Sequence, residues 1–223
     1  MVALFLIVYL AAPEFPLVAD HVVTGPKSHV TLTNTSPQPV TAWALAVTTH
    51  PEPGRTHREI ETVDGYLSEA THGIENAPER LERLMPGQSR EIALDPLPDG
   101  ATVAVVAVVL EDGTAIGDEA IVAPMFARRA KERDALGAVA QTFADVLSTA
   151  HGAQALDALR ARLDALPGRN EVPCRAAIDA VDTYRQRVND RTPEQIDESL
   201  RTYAAFVTRE WELAKKAAER KSS

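Results

Sequence analysis

The rhythm of hydrophobic and polar positions changes once along this chain, at Gly117-Asp118. Upstream, short apolar or alternating runs are separated by turn residues. Downstream, apolar residues recur every three or four positions. The densest upstream run, Ala101 to Leu110, reads ATVAVVAVVL, with Thr102 its single polar residue. A β-branched run with apolar residues at both alternating sets of positions predicts a strand buried on both faces. Asp112-Gly113 then predicts a tight hairpin, because Gly accepts the positive φ of a primed turn, and the chain pairs back through Ala115 and Ile116.

Earlier runs give further strands. Glu14 to Val23 is followed by a Thr24-Gly25-Pro26 turn, and His29 to Thr33 places Val30 and Leu32 on one face. Asn34-Thr35-Ser36-Pro37 is a turn cluster of residues that bond their own backbone or fix φ. Val40 to Thr49 puts Trp43, Leu45 and Val47 on a core face, and Ala42, Ala44 and Ala46 against a close neighbour or the surface. Met85 to Ser89 turns, Arg90 to Leu94 directs Ile92 and Leu94 inward, and Pro96 to Gly100 leads into the central strand. The stretch from His50 to Pro86 is irregular. It is either a functional loop or carries strands around Ile60, Val63 and Tyr66-Leu67, with a helical turn or two in Asn76 to Leu84.

Past Asp118, a capping residue, a helical stripe runs through Ile121, Val122, Met125, Phe126, Leu136, Val139, Ala140, Phe143, Val146 and Leu147. Pro124 falls in its second turn, so regular helix is expected to start after it. Leu156, Leu159, Leu163 and Leu166 form a second stripe, closed by Pro167-Gly168. Cys174, Ile178, Val181, Tyr184 and Val188 form a third. Thr192-Pro193-Glu194-Gln195 is a capping box opening the fourth, through Ile196, Leu200, Tyr203, Val207, Trp211 and Ala214.

Val30 to Ser36, Pro39 to Trp43 and Leu84 to Ser89 resemble the Ig-like or fibronectin-type modules of bacterial secreted proteins, without the inter-sheet cysteine pair of antibody domains. The resemblance covers the first half and implies a sandwich with an adhesive or structural habit. The expected fold is therefore α+β: an N-terminal Ig-like antiparallel β-sandwich over 13–118, then a helical region of three to four helices over 119–223. Residues 1–12, MVALFLIVYLAA, are too short to span a bilayer. They read either as a buried first strand or as the apolar region of a secretory signal. The signal is preferred although no basic residue precedes it, and Pro13 stands where cleavage is expected.

Composition changes this picture little: 45% hydrophobic, 25% charged and net −9 over 223 residues is ordinary for a globular protein. Its distribution is more telling. Met1 to Asp118 carries 6 Lys and Arg against 16 Asp and Glu, net −10, while the remainder has 17 against 16, net +1. An acidic first half argues against nucleic acid as a partner, and against membrane insertion once a signal is processed. The basic cluster Arg128 to Arg133 reads as a solvated face or a dock for acidic surface. The single Cys174 excludes an internal disulfide and reads as a small buried hydrophobe.

The sequence lacks GxSxG, P-loop, GxGxxG and HExxH motifs. One constellation stands out: His50, His57 and His72 with Glu52, Glu59, Glu61 and Asp64 could hold zinc and activate water. Its spacing fits no known motif, and solvated loop histidines explain it as well. Glu111, Asp112 and Asp118 could suit calcium, but the hairpin requires Asp112-Gly113 regardless. Trp43 and Trp211 lie on apolar stripes and read as core, with a partner surface open for Trp211. The sequence thus assigns no catalytic, cofactor-binding or metal-ligating residue. The expected function is a non-enzymatic interaction or structural module of an exported bacterial protein, periplasmic or secreted, with a protein partner. The alternatives are a metal-binding protein or metal-dependent hydrolase using the His50/His57/His72 loop, and a helical dimerisation unit carrying the sandwich as passenger.

Overall fold

The computed structural model of the protein describes residues 15–52, 54–67 and 83–221. It is α+β, with antiparallel sheets and with helices mostly in the C-terminal half. Of the described residues, 15–63, Leu84–Leu110 and Ala115–Val122 form one compact unit. Residues 64–67, Arg83, Glu111–Thr114 and 123–221 form the other.

The first unit holds β1 (Leu17–Val23), β2 (His29–Asn34), β3 (Val40–Glu52), β4 (Arg55–Asp64), β5 (Ser89–Ala93), β6 (Thr102–Leu110) and β7 (Ala115–Gly117). They make a three-stranded sheet in the order β1-β2-β5 and a four-stranded sheet in the order β4-β3-β6-β7. Leu17, Val30 and Leu32 from the first sheet join Val40, Trp43, Leu45, Val108 and Leu110 from the second, with Leu84, in one buried cluster. Ala42, Ala44 and Ala46, on the other side of β3, are also buried, so the close-packing reading of the alanines applies.

Val40 and Trp43 share this core although three positions separate them. The pairing of β3 with β6 slips between Val40 and Ala42, and again between Ala44 and Leu45. Each slip is a bulge, where an unopposed residue reverses which side the next side chains take. The first leaves Thr41 facing Val109, whose carbonyl accepts from Thr41 Oγ1 at 3.1 Å. The second moves β6 from Val103 and Val105 inward to Val108 and Leu110 inward.

Three sequence expectations need correction here. Of the two readings of the stretch after His50, the strand holds around Ile60 and Val63, since β3 continues to Glu52 and β4 runs from Arg55 to Asp64, hydrogen-bonded neighbours in one sheet, but Tyr66-Leu67 is helical and not a strand. β4's polar residues are largely exposed, which removed the apolar alternation that marks a strand. The predicted turn or two within 76–84 falls largely outside the described residues. The central strand is not buried on both faces throughout, because only Ala107 to Leu110 are buried while Thr102 to Val106 are exposed or half-buried. The hairpin after it is wider than a primed turn. Val109 pairs with Ala115, and Gly113 adopts φ 84° while Asp112 Oδ1 accepts from Thr114 N.

Turn chemistry fixes the ends of the strands as the sequence indicated. Asn34, fully buried, donates from Nδ2 to the carbonyls of Gln38 and Leu84, each at 2.8 Å. Its Oδ1 accepts from Ser36 N at 2.9 Å and Ser36 Oγ at 2.8 Å. One side chain thus satisfies groups of the turn after β2 and of the segment before β5.

Four long helices follow: α1 (Glu119–Leu147), α2 (Gly152–Asp164), α3 (Val172–Gln186) and α4 (Pro193–Ala218), with a 3-10 turn at Val188–Asp190. Asp118 caps α1 by accepting from Ala120 N at 2.9 Å. The helix then runs through Pro124 instead of starting beyond it. The proline forfeits the bond its N–H would make to the preceding turn, a cost the long helix beyond it outweighs. The capping box at Thr192 and Gln195 is formed on both sides. Val139, Phe143, Leu156, Leu159, Leu163, Cys174, Val181 and Leu200 build the helical core, and Phe143 meets Tyr203 with ring centroids 5.3 Å apart. No described helix is long and apolar enough to cross a membrane.

Candidate functional site

The second unit contains a cavity of about 300 Å³ between Tyr66 and Leu67, α1, α4 and the turn at Glu111. Its wall is organised by a buried ion pair. Asp64 is the last residue of β4, and its Oδ1 accepts from the N–H groups of Tyr66 at 3.1 Å and Leu67 at 3.4 Å, capping the helical residues 65–67. The Arg129 fork from α1 closes on the same carboxylate, with Nε to Oδ2 at 2.7 Å and Nη2 to Oδ1 at 3.0 Å. Its remaining Nη1 donates to the carbonyl of Ala217 in α4 at 3.1 Å. The two side chains are only 2% and 3% exposed, so this is a fully desolvated bidentate pair.

Tyr66 extends the wall. The Arg129 and Arg83 guanidinium carbons each lie 5.1 Å from its ring centroid, within cation–π range. Arg83 also pairs with Glu111, Nη1 to Oε1 at 2.8 Å. Burial, and secondarily the Glu111 charge, push the Tyr66 hydroxyl above its ordinary value despite both arginines. Glu132 on α1 with Glu210 and Lys216 on α4 complete the polar lining, and Leu213 belongs to the apolar part. Burial raises the Glu132 carboxyl above its usual range, with Glu171 adding repulsion and Arg128 opposing it.

A second polar junction lies at the start of α2. Asp197, one turn into α4, accepts from Gly152 N at 2.7 Å and His151 Nδ1 at 3.0 Å. Those bonds, the backbone one foremost, hold its carboxyl below the usual range. Its work is to join two helix beginnings.

The residues singled out in the sequence have other settings. His50 lies in β3 and His57 in β4, both exposed, and His50 Nδ1 meets Thr56 Oγ1 at 3.4 Å. The loop setting of the zinc alternative is therefore wrong for these two, while His72 lies outside the described residues. Among the described residues no three His, Cys, Asp or Glu side chains form a group suited to a metal. Asp64, counted with the histidines, belongs to the Arg129 pair. Glu111 is held by Arg83, Asp112 by Lys221 Nζ at 2.5 Å, and Asp118 caps α1. Cys174 is buried, and burial pushes its thiol up, as suits a packing residue. Trp43 is fully buried; Trp211 packs partly buried against the helical core with Lys215 Nζ 4.4 Å from its ring centroid.

The cavity's wall escaped sequence reasoning. The basic cluster Arg128 to Arg133 has the composition of a solvated face, yet Arg129 is buried among exposed or half-buried neighbours. A signal existed: Arg129 stands four residues after Met125, three after Phe126 and seven before Leu136, on the apolar stripe itself. Glu210 likewise follows Val207 by three. Comparison of the chain with family models, curated proteins and solved structures finds no match.

Proposed function

We propose that the protein is a non-enzymatic interaction module of an exported bacterial protein, in which the helical unit carries the binding cavity and the β unit is an Ig-like sandwich. The observation that carries this reading is the state of Arg129. Each of its three nitrogens donates to Asp64 or Ala217, so the most deeply buried charge of the site shapes a wall. A catalytic cation is instead held ready for charge that develops during reaction. The cavity falls at the small end of the size range of ligand pockets and combines apolar surface with a few converging polar groups. The partner is a protein, one of whose side chains enters the cavity.

Two features support the sandwich. Its sheets of three and four antiparallel strands match the strand number of an Ig-like domain, and side chains from both sheets share one core. Export is supported by the apolar run Met1 to Ala12, which lies outside the described residues.

The test uses the full chain and a set of capped tripeptides, acetyl-Ala-X-Ala-amide, with X each of the common side chains. At least one is expected to raise the melting temperature saturably, since a ligand that binds only the folded state stabilises it by mass action. Leu213→Trp, at a position 38% exposed on the cavity rim, is expected to abolish that rise without lowering the unliganded melting temperature. Absence of any stabilising peptide overturns the binding reading. Steady chemical turnover of a bound peptide overturns the non-enzymatic one.

A further inference from the structure

We infer that the cavity of the helical unit selects an uncharged hydrocarbon group, the size of a leucine or phenylalanine side chain, over charged groups of the same shape. This rests on the binding-module reading and names the chemistry its site recognises.

The charges of the wall support it because they answer one another. Three cations line the space, Arg83, Arg129 and Lys216, and three carboxylates, Glu111, Glu132 and Glu210. Arg129 is committed to Asp64 and Ala217, and Arg83 to Glu111. Both guanidinium groups already face the Tyr66 ring, which leaves little of it for a further cation. Glu132 has Arg128 acting in favour of its charge and Glu171 against it, and α4 contributes Glu210 and Lys216, one charge of each sign. The lining charges thus balance in number. An ionic ligand of either sign would bring an unanswered charge into a partly desolvated space and give up its own hydration to do so. A neutral ligand leaves the balance as it stands.

The apolar surface supplies the attraction. Leu213 and Ala214 stand four and three positions before Ala217, so the three share one face of α4, and Leu67 joins them in the lining. Leu213 is 38% exposed, and among the described residues of the helical unit Val172 is the only other large apolar side chain left so open. A hydrocarbon group seated in the cavity covers this surface and releases the water upon it. An apolar cavity of about 150 Å³ takes one benzene. A volume of about 300 Å³ therefore admits an aromatic ring or a branched alkyl group with space beyond it, and no folded segment. A leucine or phenylalanine side chain of a protein partner and a free hydrocarbon share this chemistry.

The test is titration calorimetry on the full chain with four probes: toluene, benzylammonium, benzoate and acetyl-Ala-Phe-Ala-amide. Toluene is expected to bind at least tenfold tighter than either ion, which differs from it chiefly in charge. Leu213→Gln, which keeps a helix-forming side chain of similar length and removes its apolar end, is expected to weaken toluene binding at least threefold while the melting temperature holds. Unchanged toluene binding in that variant places the toluene elsewhere and overturns the site. The probe series on the unaltered chain decides the selectivity even if the variant folds poorly. Benzylammonium or benzoate binding as tightly as toluene overturns the hydrocarbon assignment and leaves the cavity a binding site. Failure of every probe overturns the assignment, and the binding-module reading falls separately only if the tripeptide set also fails. Peptide binding comparable to that of toluene supports a partner's side chain as the source. Binding of toluene alone supports a free hydrocarbon.

Discussion

At the scale of single residues, Arg129 shows how strongly one buried side chain depends on its partners. Replacing it by Met leaves the Asp64 carboxylate desolvated with two backbone donors and no counter-charge. Removing one member of such a pair costs about 3–5 kcal/mol, whereas replacing both members costs far less. Arg129→Met is therefore expected to lower stability to denaturant by about that amount, and the double change with Asp64→Asn by distinctly less. A double variant that loses more than Arg129→Met alone, by the full amount that Asp64→Asn costs by itself, would show that the pair is not coupled. Gly117 is a second residue with no tolerance. Its φ is 135°, and an added Cβ would lie 2.5 Å from the Val106 carbonyl oxygen and 2.7 Å from Ala107 Cα. Both contacts are backbone of the neighbouring strand, so Gly117→Ala must shift β7 or break its pairing. We expect it to destabilise by more than the roughly 1 kcal/mol usual for a point change, measured by urea unfolding.

At the scale of elements, the helices are joined by ionisable groups whose environments predict opposite pH limits. Asp197 joins the starts of α2 and α4, and its carboxyl is held low by Gly152 N–H and then His151. A depressed folded-state value means that this stability is present above the ordinary aspartate value and is lost as pH falls through the folded one. Asp197→Asn is expected to flatten the acid limb of the stability–pH curve; an unchanged limb would refute the role. Tyr203 acts at the other extreme. Burial, then Tyr184 and Asp179, push its hydroxyl from 10.0 to about 12. A raised value means that this stability is complete below pH 10 and fades as pH climbs towards 12. Tyr203→Phe keeps the ring against Phe143, so it is expected to remove that alkaline loss while leaving neutral stability nearly unchanged. Urea midpoints at pH 7 and pH 11 for both proteins check it.

At the scale of the whole molecule, export makes one claim that direct chemistry can decide. If Met1 to Ala12 is a signal, protein recovered from its host should begin near Pro13 to Phe15 by N-terminal sequencing. An intact Met1 would favour the buried-strand reading. The broad architecture was legible because strands and helices differ in period. Val30 and Leu32 announced β2, the Leu156, Leu159 and Leu163 stripe announced α2, and Thr192 to Gln195 marked the start of α4 to the residue. These depend on neighbours within a few positions, which a linear pattern records. What only the tertiary structure decided was long-range. β4 is a strand because β3 offers it backbone partners, although its own polar residues show no apolar alternation. The bulges at Thr41 and Val106 reversed the inward face of two strands, which no alternation within one strand can foretell. Asp64 and Arg129 lie 65 positions apart, and although Arg129 stands on an apolar stripe no local pattern names its partner. Burying either charge is costly until the other arrives, so the cavity they wall exists only where the fold has brought both together.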